Sequence, residues 1–327
     1  MANNNFAGIN LDLKLTQQNI ERLVTEYDIP LKHYLTEFAN SKGKLIRPTL
    51  FYLFKRTGNN KVTLKDQAAA TLIELLHMAT LIHDDIIDDS PLRRGVASIQ
   101  AKFGKDVAVY SGDYLFTLFF KLLVNEFQDM NLIKLNVETM YRILRGELNQ
   151  KAIRFDLRMG MLAYLDSIYG KTAAIFGLAC YEGAVLGGQS EVKCKLARKI
   201  GYHIGVVFQI HDDVLDYTAS IQTAHKPVLK DLSEGIYTLP LILAFKGHEN
   251  EFLPILNKKN NLTSADEQKI VELIQKHQGI EKATAFADKY IQKTQAELKC
   301  FGNAQLTNAI TKLFDKLQGR SDLDERK

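Results

Sequence analysis

The segment TLKDQAAATLIELLHMATLIHDDIID, residues Thr63–Asp88, is an apolar stretch that ends in clustered aspartates. Its apolar residues recur at helical spacing and cover most sides of the helix they would form, which indicates a buried helix rather than a surface one. Ser90-Pro91 follows and ends the helix, because proline cannot continue the hydrogen-bond ladder. The chain is therefore expected to fold around a long helix with acidic groups at its carboxyl end.

Helical spacing continues through the rest of the chain, with only six prolines and few alternating segments. We predict further helices at Asp106–Glu126, Leu132–Lys151, Met159–Leu186, Glu191–Asp216 and Leu239–Lys246.

Local signals add helix ends and one loop to this pattern. Pro48 is expected in the first turn of a helix. Ser264 with Glu267 three residues later forms a capping-box pattern, and Gly279 is expected to end that helix. The segment Thr218–Tyr237 contains a proline and a glycine and is expected to be a loop. Together the patterns predict an all-α fold with one domain over residues 10–327, preceded by flexible residues 1–9.

Composition excludes several classes of function. Lys and Arg exceed Asp and Glu by four (42 − 38), without a basic block of the kind that binds nucleic acid. The three cysteines lack metal-ligand spacing and are expected to be reduced thiols. Neither a signal peptide nor an uninterrupted apolar run of roughly 18 residues is evident, so no transmembrane segment is expected. We expect a soluble, cytoplasmic protein that binds no nucleic acid.

Two aspartate clusters carry the chemistry. Leu81–Asp89 reads LIHDDIIDD and Phe208–Asp216 reads FQIHDDVLD, so each contains Asp-Asp-x-x-Asp after an apolar helix. At 3.6 residues per turn the first and last aspartates of each cluster share a helix face. Such carboxylates repel one another unless cations compensate, and hard oxygen ligands suit Mg²⁺. The alternative is two solvated acidic helix ends, and the repetition of the motif argues against it. EF-hand loops are excluded, since the required glycine and glutamate do not follow.

Basic residues near predicted helix ends can bind the oxygens of a diphosphate that the metal leaves open. These residues are Lys44, Arg47, Arg93, Arg94, Lys171 and Lys226. Arginine binds phosphate bidentately, whereas lysine acts as a point charge. Each of them taken alone is more often a solvated surface charge, so their significance depends on the presence of the two aspartate clusters in the same chain.

Five motifs in order resemble the trans-isoprenyl diphosphate synthase family. HDDIIDDSPLRRG (83–95) and FQIHDDVLDY (208–217) resemble the two aspartate-rich motifs, and SKGKLIRP (41–48) resembles the Gly-Gly-Lys-x-x-Arg-Pro segment. YGKTA (169–173) and KPVLKDLSEGIYTLP (226–240) complete the order. The resemblance covers the chain from about residue 15 onward. It is nearest to bacterial medium- and long-chain enzymes, including the catalytic component of two-part heptaprenyl or hexaprenyl diphosphate synthases.

The resemblance implies an isoprenoid-synthase-type helical bundle around a central cavity. It implies condensation of isopentenyl diphosphate with an allylic diphosphate, with Mg²⁺ as cofactor and three ions partly recruited with the substrate. It also implies a homodimer, or a heterodimer with a smaller regulatory subunit, that lies peripheral to the membrane when it releases product. The implied metal ligands are Asp84, Asp85, Asp88, Asp212, Asp213 and Asp216. The implied allylic-site residues are Arg93, Lys171, Thr172, Gln209 and Lys226. The implied isopentenyl-site residues are Lys44, Arg47, His77 and Arg94.

Two positions depart from the family pattern, and two other classes of protein share parts of it. Lys42 stands where a glycine is usual, and Ile236 stands where some relatives carry a lysine. Class I terpene cyclases pair one aspartate-rich motif with an Asn/Ser/Glu metal motif, and non-catalytic partner subunits lose the aspartates. This chain keeps both aspartate clusters and the basic residues for a second diphosphate, which favours chain elongation.

Product length is predicted from the helix that carries the first cluster. Thr80 lies four residues before Asp84, and Ala79 lies five before it, roughly 7.5 Å along the helix axis. By the family resemblance an aromatic side chain at either place gives short products, whereas both are small here. We expect more than four isoprene units, in the range of six to eight. Two candidates for the floor of the tunnel are not distinguished by the sequence: a bulkier residue of the same helix, such as Leu75 or Leu76, and the helix that contains Met140.

Overall fold

The computed structural model describes residues 8–26, 32–40, 43–93, 96–222 and 229–319, and only the backbone of residues 219–222. The α-helices are α1 (Asn10–Thr25), α2 (Lys32–Asn40), α3 (Ile46–Lys55), α4 (Leu64–Ile87), α5 (Ile99–Phe103), α6 (Lys105–Glu126), α7 (Met130–Ala152), α8 (Met161–Ile168), α9 (Ala174–Leu186), α10 (Glu191–Gln222), α11 (Lys230–Ser233), α12 (Leu239–Phe245), α13 (Glu249–Leu256), α14 (Ser264–Lys276), α15 (Gly279–Phe301) and α16 (Ala304–Leu317). The all-α prediction is confirmed. A two-residue antiparallel pair, β1 (Leu92–Arg93) with β2 (Val96–Ala97), is the sheet that these ranges contain.

The helix expected from the opening segment begins one residue after Thr63. The Thr63 hydroxyl accepts from the Asp66 backbone N–H, and Asp66 accepts from the Thr63 backbone N–H, which completes a capping box. Pro48 lies in the first turn of α3, as predicted. Helix α14 has its capping box at Thr263 and Asp266, so the box predicted at Ser264 was one residue late. Gly279 begins α15 and does not end α14, which stops at Lys276.

Two predicted element boundaries were wrong because tertiary packing overrides local spacing. The helix predicted over Met159–Leu186 is interrupted by a π-helical turn at Tyr169–Ala173, between α8 and α9. Within the loop predicted over Thr218–Tyr237, the structure has the end of α10, the short helix α11 and the non-helical residues 234–237, and residues 223–228 lie outside the described residues. Single π turns within α-helices are frequent at functional sites, and this one carries Lys171 and Thr172.

Contacts between α-carbons divide the chain into two compact units. The first comprises the chain up to Met140 together with Ile175–Gly201, and the second comprises Tyr141–Ala174 together with Tyr202 onward. In the first unit α4 packs against α6, α1, α3 and α5. In the second unit α12 packs against α15, α14 and α8. The single domain over residues 10–327 stays a prediction, and most of the predicted flexible segment 1–9 lies outside the described residues.

Close approach of α4 and α6 in the first unit depends on Gly112. The His83 ring lies against Gly112, where an added Cβ would come 2.4 Å from a ring carbon. His83 also contacts the Ala79 carbonyl oxygen at 3.1 Å and Asp113 Oδ1 at 3.2 Å. The residue that precedes the first cluster thus packs at the α4–α6 contact.

By length and composition α6 is long and apolar enough to cross a membrane, as core helices of soluble proteins also are.

Candidate active site

The first aspartate cluster lies at the carboxyl end of α4, in the first unit. Asp84 and Asp88 are half-buried and one turn apart, with the Asp88 N–H donating to the Asp84 carbonyl oxygen at 2.8 Å. Asp85 is 2% exposed, and its Oδ1 accepts from Arg93 Nε at 2.8 Å. The carboxylates repel one another, and the negative end of the α4 helix dipole adds to this repulsion. The carboxyl end of α4 therefore favours a bound cation.

The β1–β2 pair brings Arg93 back beside the cluster. Leu92 pairs with Ala97 and Arg93 with Val96, so the chain reverses directly after α4. Arg93 therefore reaches Asp85 eight residues earlier. Arg94, the next residue in the sequence, lies outside the described residues, as does Lys42.

The other basic residues predicted in the first unit differ in exposure. Lys44 is exposed, whereas Arg47 and His77 are half-buried. The Arg47 guanidinium lies 4.9 Å from the centre of the Phe176 ring, a cation–π contact that orients the arginine. Leu45, directly before α3, has a left-handed φ of 44°, which turns the chain sharply between Lys44 and Arg47.

The residues predicted to set product length lie in the buried part of α4. Ala79 is completely buried, and so are Leu75 and Leu76. Thr80 is half-buried, and its hydroxyl donates to the His77 carbonyl oxygen at 2.7 Å. Ala79 thus lies in the interior, whereas Thr80 is partly open to solvent.

The second cluster lies on α10, in the second unit. Asp212 and Asp216 are exposed, whereas Asp213 is 3% exposed. Burial raises the pKa of Asp213 to about 7, against hydrogen bonds that lower it. Solvent reaches Asp216, yet its pKa is raised to about 6. The largest cause is partial desolvation by the surrounding protein, and the negative charges of Asp231 and Asp212 add to it. Burial and neighbouring carboxylates thus disfavour the charged forms of Asp213 and Asp216, and a bound cation would offset that cost.

A chain of hydrogen bonds connects Asp213 to the π turn. The Tyr164 hydroxyl donates to Asp213 Oδ2 at 2.6 Å, and Gln209 Nε2 donates to Asp213 Oδ1 at 2.9 Å. The Thr172 hydroxyl donates to Gln209 Oε1 at 2.6 Å. The predicted residues Thr172, Gln209 and Asp213 are thus brought together, and Tyr164 joins them.

The π turn holds Lys171 against α7. Lys171 Nζ lies 3.1 Å from Glu147 Oε2 and 3.2 Å from Gln150 Oε1. Gly146 and Gly170 touch along this contact, since a Cβ added to Gly146 would come 2.5 Å from the Lys171 backbone nitrogen. Lys226, the other lysine predicted to bind the allylic diphosphate, lies outside the described residues.

A cavity of about 40 Å³ opens among these groups in the second unit. Its polar lining includes Gln150, Tyr164, Lys171, Gln209, Asp213, Asp231 and Thr238. Sequence reasoning missed Tyr164 and Gln150, because neither falls in a motif. Asp231 lies within the quoted motif KPVLKDLSEGIYTLP and was not singled out.

Both clusters fit a hard divalent cation. Each offers two carboxylates one turn apart that solvent reaches, and oxygen ligands of this kind suit Mg²⁺. A third group, His248, Glu251 and His277, has ligand atoms within 4.8 Å of one another. The two imidazoles of that group are stacked at 3.6 Å with planes 17° apart. Their in-plane lone pairs therefore cannot meet at one ion, and Lys276 neutralises Glu251 at 2.6 Å.

Comparison with known proteins decides the family. The model of the polyprenyl synthetase family matches residues 29–276. This chain is a member of the polyprenyl synthetase family. It is 30% identical to heptaprenyl diphosphate synthase component 2 of Bacillus subtilis over 93% of this chain and 87% of that protein.

Solved structures of this family share the fold. The crystal structure of geranylgeranyl pyrophosphate synthase from Lactobacillus brevis has a TM-score of 0.90 and 36% identity, covering 95% of this chain and 97% of that one. A polyprenyl synthase from Caulobacter crescentus, complexed with calcium and isoprenyl diphosphate, has a TM-score of 0.83 and 31% identity over 94% and 95% of the two chains. The chain is thus a prenyl-transferring enzyme of a metal-dependent family.

Proposed function

We propose that this enzyme adds isopentenyl diphosphate to farnesyl diphosphate and makes an all-trans product of six to eight isoprene units. Ala79 carries the proposal, since a small and completely buried side chain lies one turn before the first cluster. By the family resemblance, an aromatic residue there would close the path of a growing tail, whereas alanine would not. The similarity to the Bacillus subtilis heptaprenyl enzyme agrees with this length.

A shorter product is the second candidate. The Lactobacillus brevis relative, 36% identical, is named a geranylgeranyl pyrophosphate synthase and so makes four units. A terpene cyclase is a weaker candidate, because the chain has two Asp-Asp-x-x-Asp clusters. It also has basic residues for a second diphosphate, which a cyclase would not need.

In the proposed reaction the carboxylates of each cluster would hold Mg²⁺, which would supply positive charge for binding the allylic diphosphate. Asp84, Asp88, Asp212 and Asp216 would hold the ions, which supply charge to stabilise the leaving diphosphate. Lys171 and Arg93 contact diphosphate oxygens and exchange their present carboxylate partners for them. Because these charges are fixed before the reaction begins, they stabilise the departing group without reorganisation.

Isopentenyl diphosphate is proposed to bind Lys44, Arg47, His77 and Arg94. Holding its double bond beside the allylic carbon makes the attack effectively unimolecular. A C–C bond forms as the allylic C–O bond breaks, and loss of a proton from the former isopentenyl unit restores the double bond. We assign that proton to the released diphosphate.

Product sizing tests the proposal. The purified enzyme is incubated with farnesyl diphosphate, labelled isopentenyl diphosphate and Mg²⁺, and the products are separated by chain length. Ala79→Leu is expected to shorten the product while the first condensation persists. Ala69→Leu is the matched control, since Ala69 is equally buried in α4 but roughly 22 Å from Asp84 along the axis. A parent enzyme that stops at four units, or an equal shift in both variants, contradicts the proposal.

Exposed apolar residues support a further part of the proposal, that the enzyme works as a homodimer or with a smaller regulatory subunit. On α6, Tyr110 is 71% exposed and Val124 63%. On α7, Tyr141 and Leu148 are 58% and 68% exposed and lie on one stripe. Apolar surface of this extent on two helices suits a protein interface.

We place the enzyme in the cytoplasm, where its diphosphate substrates are soluble.

A further inference from the structure

The hydrogen-bond chain of the second unit ends at a buried tyrosine hydroxyl. Tyr164 lies on α8 and is 4% exposed. Its hydroxyl donates to Asp213 Oδ2 at 2.6 Å, and the other oxygen of Asp213 accepts from Gln209 at 2.9 Å. A deeply buried tyrosine hydroxyl usually has a hydrogen-bond partner in the protein, because burial without one costs the free energy of its lost hydrogen bond to water.

The direction of each hydrogen bond fixes the amide of Gln209. Asp213 accepts through both oxygens, so the NH₂ group of Gln209 faces Asp213. The amide oxygen must then face Thr172, whose hydroxyl donates to it at 2.6 Å. A flipped amide would set oxygen against oxygen at Asp213 and leave the Thr172 hydroxyl to find another partner.

The fixed amide lies beside the proposed reaction. Thr172 follows Lys171 in the π turn, and Lys171, Gln209 and Tyr164 line the same cavity. A dipole that is oriented before the substrate binds can stabilise charge without reorganising during the step. An amide free to flip would present its positive end as often as its negative end.

We propose that Tyr164 is a positioning residue, which through Asp213 locks the Gln209 amide with its oxygen toward Thr172 and Lys171. In this arrangement Asp213 is a bracket for Gln209, and Asp212 and Asp216 are the cation-facing groups of the second cluster. Both Asp213 oxygens are engaged by protein donors, and its side chain is 3% exposed, whereas Asp212 and Asp216 are open to solvent. The inference rests on the proposed prenyl transfer.

The test compares two tyrosine-to-phenylalanine variants. Tyr164→Phe removes only the hydroxyl, and we expect kcat to fall about tenfold while KM for both substrates changes less than about threefold. Tyr52→Phe is the matched control. The Tyr52 hydroxyl is completely buried and lies 2.8 Å from the Thr16 hydroxyl, in the first unit. It should lose a similar amount of thermal stability and keep its kcat.

A double-mutant cycle separates positioning from general destabilisation. If Tyr164 acts through Gln209, then Tyr164→Phe has no further effect on kcat in a Gln209→Ala background. Additive losses would overturn the inference, and so would a Tyr164→Phe enzyme with parental kcat. Failure of the proposed function is distinguishable, because it shows as absence of prenyl transfer in the parent enzyme.

Asp213→Asn provides a second variant that keeps the side-chain size. Its oxygen can still accept from Gln209 while its NH₂ group donates to the Tyr164 hydroxyl, so the Gln209 amide keeps its orientation and kcat should fall less than in Tyr164→Phe. The Mg²⁺ concentration for half-maximal rate should stay within about twofold of the parent value, as it also should in Tyr164→Phe. A rise of tenfold or more in Asp213→Asn would show that Asp213 is a metal ligand, and would overturn the bracket role.

Discussion

Replacing Gly146 by alanine tests whether the contact between α7 and the π turn positions Lys171. A Cβ at Gly146 would lie 2.5 Å from the Lys171 backbone nitrogen, 2.9 Å from the Gly170 carbonyl carbon and 3.0 Å from the Gly170 Cα. An ordinary carbon–nitrogen contact is about 3.5 Å, so the overlap is about 1 Å. All three atoms belong to the backbone and cannot rotate away. The π turn must therefore shift, and Lys171 and Thr172 move with it.

Two opposing effects determine the change in stability. Alanine stabilises the interior of a helix by about 1 kcal/mol relative to glycine, whereas overpacking of this kind costs about 1–3 kcal/mol. We expect the free energy of unfolding of Gly146→Ala to fall by about 0–2 kcal/mol, measured by urea denaturation. Activity should respond more, because a displacement near 1 Å can cost on the order of 100-fold in rate. We therefore expect kcat to fall by about 10- to 100-fold, measured as the transfer of labelled isopentenyl diphosphate.

Gly160→Ala is the control for this experiment. Gly160 precedes α8 in extended conformation, and a Cβ there would meet no atom within 4 Å. Its kcat should stay within about twofold of the parent value. If Gly146→Ala also keeps parental kcat and stability, the π turn yields without consequence and the role given to the α7 contact is refuted.

Three further predictions concern the metal, pH and assembly. Asp84→Ala and Asp212→Ala should each lower turnover by about two to four orders of magnitude and leave the circular dichroism spectrum unchanged, and full activity in excess chelator would contradict both. Glu182 is completely buried, and burial raises its pKa to about 8 from 4.5. The folded protein therefore holds a proton that the unfolded chain releases between these values, and stability should fall with rising pH until pH passes about 8. Glu182→Gln should reduce this slope by on the order of 1 kcal/mol per pH unit, and equal urea midpoints at pH 6 and 8 in the parent would disprove it. Tyr141→Ser should weaken self-association in sedimentation velocity, or binding of a second subunit, whereas an active parental monomer at nanomolar concentration would contradict the assembly proposal.

Helix existence was predictable because apolar periodicity reports which faces are buried. The long helix predicted over Thr63–Asp88 is α4, and Asp106–Glu126 matches α6 within one residue. The errors arose where packing alters a local preference. At Gly279, the first residue of α15, a Cβ would come 2.3 Å from the Pro240 carbonyl oxygen, so glycine is required for a close contact rather than for a helix end.

The aspartate clusters were also evident in the sequence, because their spacing alone places the first and last members on one helix face. Which member is buried depends on the surrounding protein. Asp85 and Asp213 each follow directly after the first aspartate, and both point into the interior, where Arg93 and Gln209 pair with them.

The sequence by itself determined the helical class, the two acidic clusters and the family, since these depend on short-range spacing and on motifs that remain in chain order. Only the tertiary structure decided the partners of those motifs. Tyr164 reaches Asp213 across 49 residues and Thr172 reaches Gln209 across 37. The π turn that carries Lys171 likewise depends on Gly146 of another helix. Hydrogen bonds between distant segments form only when packing brings their atoms within about 3 Å, and no local pattern in the chain records that distance.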